Sequence, residues 1–466
     1  MKPHFPKPTW ALIGLKVWSS GRPVIGVGLG AEVKDGCVDG VWLGVADGVQ
    51  AEVNAAMATT NATETLFRIP SRIPGNLPYV VSCYIHVPFC ARRCGYCDFN
   101  TFQLGRAGLT PAQWLDALRG EIALAPDHGR VDTVFFGGGT PSLLGAGLLV
   151  GALEAVRDKF GLADGAEVSL EANPETVTPS LLDDLLAGGF NRLSLGMQSA
   201  DPAVLAVLDR AHTPGQALRS AQWARQAGFA DISLDLIYGT PGESLASWRS
   251  SVEAVLGVGP DHVSCYALIV EPGTPLARRI QSGQLPAPDD DLMADEYLLA
   301  DEMLLASGFG WYELSNWAIS GHACRHNLVY WQGGDWLGFG PGAHSHIGPH
   351  RWWNHKNPRV WSSAISRGQA PVAGRELIDQ AMAHEERLLL ELRLASGLPI
   401  DALSATEQAR LPQLAKDGLL VVADGTVSLT IQGRLLADKV TIDLLDPGSG
   451  PPPGPTSRSS EAESRS

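Results

Sequence analysis

Cys90, Cys94 and Cys97 crowd into the stretch "FCARRCGYCDFN", residues 89–100. Thiolates hold iron–sulfur clusters, ordinarily four to a cubane. The spacing C-x3-C-x2-C supplies three and leaves one iron open to another ligand. A structural zinc site wants four closed ligands, and the only local candidate for a fourth is His86, four residues before the first cysteine. Unrelated buried thiols are the bland alternative. The seven cysteines (37, 83, 90, 94, 97, 265 and 324) are odd in number and unevenly spread. That is a poor disulfide framework and a better metal-site signature for a reducing compartment.

Such thiols need a scaffold, and from Val81 onward a pattern repeats. Short apolar runs, "VVSCYIHV", "VDTVFFGGGT", "EVSLEANP", "RLSLGMQS", "DISLDLIYGTPG" and "HVSCYALIVEPGT", alternate with helical stretches near 111–125, 145–160, 178–188, 202–228 and 243–257. Alternation of this kind predicts parallel βαβ units. Six units fall short of a full eight-fold barrel, so the fold expected is α/β: an open, partial (β/α)6 barrel with its chemistry at the C-terminal strand ends. Unusual residues collect there: Gly137 to Thr140, Glu171, Gln198 and Asp235. The glycines let a backbone approach a ligand closely, or simply make tight turns. Glu171 and Asp235 suit ammonium or ribose hydroxyls, or cap the helices that follow them. Arg210 has the fork geometry for a carboxylate.

The rest of the chain of 466 residues divides around this array. Residues 1–78 are glycine-rich, of uncertain order, and contain Met57 as an alternative start; removal of residues 1–56 is expected to be tolerated. The barrel is expected over 79–275. An α+β region rich in tryptophan and histidine follows over 276–370, a winged-helix-like domain over 371–446, and a compositionally disordered tail over 447–466. The net charge of −15 and the lack of a Lys/Arg cluster argue against a nucleic-acid partner. The winged-helix-like end therefore reads as a packing module. No apolar run reaches the roughly 20 residues of a membrane helix, and cytoplasm is the expected compartment.

The cysteine spacing, followed by an aromatic and placed at the end of the first strand, resembles the radical S-adenosylmethionine (SAM) superfamily. "YIHVPFCARRCGYCDFN", "FFGGGTPSLL", "SLEANPET", "RLSLGMQS", "DLIYGTPGES" and "GFGPGAHS" resemble the oxygen-independent coproporphyrinogen III oxidase family over about residues 80–445. The resemblance implies a [4Fe–4S] cluster on Cys90, Cys94 and Cys97. It implies SAM contacts at Tyr84, Gly138, Gly139, Thr140, Glu171, Gln198, Arg210 and Asp235.

Two features turn the resemblance toward the haem-chaperone subgroup of the HemW type. The oxidases carry a further cysteine where this chain has Phe99. The stretch "HNLVYW", His326 to Trp331, matches the H-N-x-x-Y-W motif of the chaperones. The resemblance thus implies haem as a ligand, with His326 in contact with it and Tyr330 and Trp331 able to pack on a porphyrin. By composition alone, His326 reads as a surface histidine and Trp331 as core. Implied partners are haem-recipient proteins, those of the respiratory chain included, reached at the membrane periphery, and a second copy of the chain. The competing reading is an oxygen-independent coproporphyrinogen III dehydrogenase, which converts two propionates to vinyl groups by radical SAM chemistry.

Overall fold

The computed structural model describes residues 81–445. The expectations for residues 1–78, for Met57 and for the tail 447–466 lie outside the described residues.

One sheet of 12 strands organises the chain. Its centre is a run of six parallel strands in sequence order: β1 (Val81–Val87), β4 (Val131–Gly138), β5 (Leu162–Ala172), β6 (Arg192–Gln198), β7 (Asp231–Tyr238) and β8 (His262–Ala267). Two-residue strands β2 (Phe89–Cys90) and β3 (Phe102–Gln103) bracket the cysteine loop and pair in parallel.

Short-range signals set the connecting helices. Thr110–Pro111, Thr178–Pro179, Asp201–Pro202 and Thr213–Pro214 each put a capping side chain before a proline at the first helical position. Gly189 and Gly228 end two of the helices in the left-handed region, at φ 102° and 106°. One helix expected over 202–228 is instead two, Pro202–Val207 and Pro214–Ala227. The break is local: Asp209 sits at φ 56° and Thr213 caps the second helix. The intervening segment carries Arg210.

The two faces of the parallel strands differ in chemistry. Cys83, Ile85, Val87, Leu193, Leu195 and Met197 are wholly buried and pack in one core with helix residues such as Trp114, Leu118 and Leu185. Burial of each large side chain stabilises the fold by about 1.5–3 kcal/mol. The opposite face carries Ser82, Tyr84, His86, Glu171, Ser194 and Asp235, alternating with the apolar set.

Residues 310–377 extend the same sheet at both edges. β9 (Gly310–Glu313) and β10 (Asn316–Ala318) add antiparallel strands beyond β8. β11 (Trp336–Phe339) pairs in parallel with β1, so the chain returns to its first strand. β12 (His344–Ile347), β13 (His350–Asn354) and β14 (Val372–Leu377) continue outward, antiparallel.

The C-terminal unit has its own core around Leu388, Leu414, Val427 and Val440. Helix Gln380–Glu391 leads into β15 (Leu398–Pro399), short helices, and the hairpin β16 (Leu420–Ala423) and β17 (Thr426–Leu429). This helix–strand–helices–hairpin order is that of a winged helix. Asp424 and Gly425 make the turn at φ 51° and 76°.

Candidate functional site

The cysteine loop is pinned from several sides. Leu104 N donates to the Cys90 carbonyl at 2.8 Å, and Cys97 N donates to the Cys94 carbonyl at 3.3 Å. Gly95 N donates to the Leu208 carbonyl and its own carbonyl accepts from Leu276 N. A Cβ at Gly95 would stand 2.4 Å from Asp209 Oδ2, so a larger residue there would have to turn the Asp209 carboxylate aside. Arg93 closes the loop on itself through the carbonyls of Cys97 and Phe99. Asn100 Nδ2 donates to the carbonyls of Pro341 and Lys356, at 2.9 and 3.0 Å, fastening the loop to the β11–β12 turn and to the segment after β13.

The three thiols lie close enough to act on one another electrostatically. Burial pushes Cys97 up to about 11 and raises Cys90, so cluster binding must displace protons from both. No three His, Cys, Asp or Glu side chains among the described residues converge on a single ion. His86 is no fourth ligand in this arrangement. Its Nε2 lies 3.0 Å from the Asn100 carbonyl and its Nδ1 3.0 Å from the Tyr84 hydroxyl. Phe99 points outward and is 54% exposed.

Beside the loop, the segment Gly137–Thr140 follows β4. Gly139 N and Thr140 N donate to the carbonyls of Val87 and Phe89 at 2.8 and 2.7 Å. A Cβ on Gly139 would come within 2.4 Å of the Phe89 carbonyl oxygen, and Gly138 holds φ 109° against the His86 ring. Both positions need glycine, one for close approach and one for backbone sign.

Glu171 and Asp235 both lie on the inner face, and neither caps a helix. Glu171 Oε2 accepts from Gly138 N at 3.0 Å. Burial, with the Asp235 carboxylate nearby, pushes Glu171 up to about 7. Asp235 accepts the hydroxyls of Ser194, Ser264 and Ser233 at 2.8, 2.7 and 3.3 Å. Burial raises it and the hydroxyls oppose that rise. Gln198 ends β6 at φ 68°, an unusual value for a residue other than glycine. Arg210 spans the two halves of the site, with Nη1 toward Cys94 Sγ and Nη2 toward Asn173 Oδ1 and the Gly196 carbonyl. Arg210 Nε is buried without a partner.

Gly138, Gly139, Thr140, Gln198 and Arg210 thus gather with the cysteine loop at the C-terminal end of the parallel strands, with Glu171 beside Gly138, while Tyr84 and Asp235 lie at mid-strand on the same inner face. The buried carboxylates and the guanidinium, whose Nε makes no hydrogen bond, fit a zwitterionic, ribose-bearing ligand beside a cluster.

His326 is elsewhere. Helix Arg325–Trp331 closes the opposite, N-terminal end of the strands. His326 is 2% exposed; Nδ1 lies 2.7 Å from Thr133 Oγ1 and Nε2 lies 2.9 Å from the Tyr330 hydroxyl. Its ring stacks on Phe135 at 5.2 Å, and its backbone N donates to Glu167. Burial takes its pKa down to about 3, so the imidazole is neutral. Arg192 completes this floor with Glu167, Asp231 and the His322 carbonyl. His326 is therefore neither the surface residue composition suggests nor a group with a free nitrogen: iron ligation there requires the loss of one of two short hydrogen bonds. Trp331 is buried, as composition suggests.

Sequence reasoning missed Asn100, Asn173 and the serines that serve Asp235. The serines left a trace in the period-two alternation of "ISLDL" and "HVSCYA"; the asparagines lie inside quoted motifs, but the partners that tie them to the site, Pro341 and Lys356 for Asn100 and Arg210 for Asn173, are far off in sequence.

The Radical SAM superfamily matches residues 84–255. The haem chaperone HemW of Mycobacterium tuberculosis is 51% identical over 385 residues, which span 81% of this chain and 98% of that protein. The haem chaperone HemW of Bacillus subtilis is 33% identical over 371 residues, 77% of this chain and 97% of that one. Among solved structures, the radical SAM enzyme coproporphyrinogen III oxidase (HemN) of Escherichia coli aligns with a TM-score of 0.69 at 25% identity, covering 79% of this chain and 90% of that one.

Proposed function

Because the chain belongs to the HemW family of haem chaperones within the radical SAM superfamily, we propose that it binds haem and hands it to recipient proteins. The near full-length likeness to the mycobacterial chaperone carries this reading. The outward Phe99, in place of a further thiol at the mouth of the cysteine loop, supports it against the oxidase alternative.

In this reading Cys90, Cys94 and Cys97 hold a [4Fe–4S] cluster, and SAM binds beside it. When bound, the pair supplies one-electron chemistry or a ligand-dependent conformational signal. The chain's own part is to orient and to exclude water. Arg210 offers its free Nε to the SAM carboxylate, and Glu171 attracts the ammonium. Asp235, held by three serine hydroxyls, is a rigid acceptor at mid-depth. Gly138 and Gly139 let this backbone pack directly on the His86 ring and on the Val87 and Phe89 carbonyls, which sets it beside the cysteine loop.

Among the described residues no helix is long and apolar enough to cross a membrane. Delivery at a membrane would thus depend on docking to recipients, respiratory-chain haem proteins among them, and pairing of two copies is expected.

The test is a paired titration of the anaerobically reconstituted chain with haem and with SAM, followed by haem transfer to an apo-acceptor. Tight haem binding and transfer are expected. Absence of haem binding, or conversion of coproporphyrinogen III to protoporphyrinogen IX at a useful rate, would overturn the reading.

A further inference from the structure

Asn173 stands between β5 and a single turn of 3-10 helix, Pro174–Thr176. An asparagine in that place ordinarily spends its side chain on capping. This one makes no cap hydrogen bond. Its backbone is fixed by other groups. Its N donates to Ser142 Oγ at 3.3 Å, and its carbonyl accepts from Thr176 N and Thr176 Oγ1 at 3.0 and 2.8 Å. The side-chain amide is left for the site.

Chemistry decides which way that amide points. A guanidinium only donates, so Oδ1 must be the atom 2.9 Å from Arg210 Nη2. Nδ2 then donates to Thr140 Oγ1 at 3.2 Å and to Glu175 Oε1 at 3.4 Å. Asn173 thus ties the arginine to the segment after β4 as well as to its own turn. The second acceptor of Nη2 is the Gly196 carbonyl of β6, at 2.8 Å. A Cβ at Gly196 would stand 3.1 Å from Nη2 and 3.7 Å from Asn173 Oδ1, so the three groups meet over a stretch of β6 without a side chain.

Arg210 needs such a hold. It comes from the break between two helices, next to Asp209 at φ 56°. A long side chain from an irregular segment has many rotamers to lose on binding a ligand. Two neutral oxygens fix Nη2 without cancelling the positive charge, and Nε makes no hydrogen bond. We infer that Asn173 is a positioning residue for SAM, which acts through Arg210 by holding the guanidinium in place for the SAM carboxylate. This rests on the reading that SAM binds beside the cysteine loop, and adds the residue that sets its charged contact in advance.

The experiment is calorimetry on the full, anaerobically reconstituted chain, with iron content and Tm measured alongside. The variants are Asn173→Ala, Arg210→Met and the two combined. The ligands are SAM and 5′-methylthioadenosine, which keeps the nucleoside and sulfur but has no carboxylate. Asn173→Ala should lower SAM affinity about three- to tenfold and leave that of 5′-methylthioadenosine within about twofold. In the Arg210→Met background it should cost SAM no more than about a further twofold, since the group it positions is gone. A merely structural role would weaken both ligands alike and add in full. The cycle uses SAM alone, so it stands however weakly the nucleoside binds. Asn173→Leu repeats the test with the side-chain volume kept. Parent SAM affinity in both Asn173 variants, equal losses for the two ligands, or full additivity with Arg210→Met overturns the inference. So does failure of both Asn173 variants to load iron while Arg210→Met loads it, which makes Asn173 a folding residue. A parent that binds no SAM overturns the SAM reading itself, a result distinct from the others.

Discussion

Arg210 Nη1 stands 3.5 Å from Cys94 Sγ, while Nη2 donates to the Gly196 carbonyl at 2.8 Å and to Asn173 Oδ1 at 2.9 Å. The guanidinium thereby joins the cysteine loop to the ends of β5 and β6 and keeps Nε uncommitted. Arg210→Met removes a charge-assisted partner and leaves the thiols in place. SAM affinity should fall by about 1.5–3 kcal/mol, roughly ten- to a hundredfold. Calorimetry with SAM, alongside iron analysis, checks this; unchanged affinity would remove Arg210 from the site.

Glu171 sets a pH dependence. Its carboxyl titrates near 7 because burial and the Asp235 carboxylate disfavour its charge. Above that pH the anion is present for the SAM ammonium; below it the charge is lost. SAM affinity should fall on acidification below pH 7, by at most about tenfold per pH unit for one proton. In Glu171→Gln the profile should flatten in that range. The same raised pKa works the other way on the ligand-free fold: its contribution is fullest below the unfolded value of about 4.3 and is lost as pH rises toward 7.

Cys90, Cys94 and Cys97 should be individually required for a brown, iron-loaded protein, with cluster absorbance and iron content lost in each Ala variant. A protein that loads zinc but no iron after anaerobic reconstitution would contradict the assignment.

Arg434 of the C-terminal unit reaches into the main sheet's helix layer. It binds Asp301 with both Nη atoms, at 2.9 and 2.8 Å, and lies 4.3 Å from the Trp311 ring centroid. Arg434→Met strands a buried carboxylate and should cost about 3–5 kcal/mol. Thermal unfolding should show it as a lowered or split transition, with the cluster still bound before the first step.

The sequence made the repeating βα units and their helix starts legible because the signals are local: an apolar run, a capping residue, a proline. The cysteine spacing was legible for the same reason. Local signals also misled over 202–228, where helical residues flank a break set by Asp209 and Thr213. The edges of the sheet were opaque, since the pairing of Trp336 with Ser82 leaves no mark in either segment. His326 shows the limit most sharply. Its motif marks importance, but only the Thr133 and Tyr330 partners show what the ring does.

The return of β11 to β1 has a consequence for the order in which the protein comes into being. The cysteine loop emerges from the ribosome early, yet one of the two neighbours of β1 is Trp336–Phe339, and Asn100 is fastened to the carbonyls of Pro341 and Lys356. At about 5–20 residues per second, the thiols wait on the order of ten to fifty seconds for those partners to be made. Until then the loop hangs from an unfinished sheet edge. Iron and sulfide therefore meet a finished binding loop only once the chain has been made past Lys356.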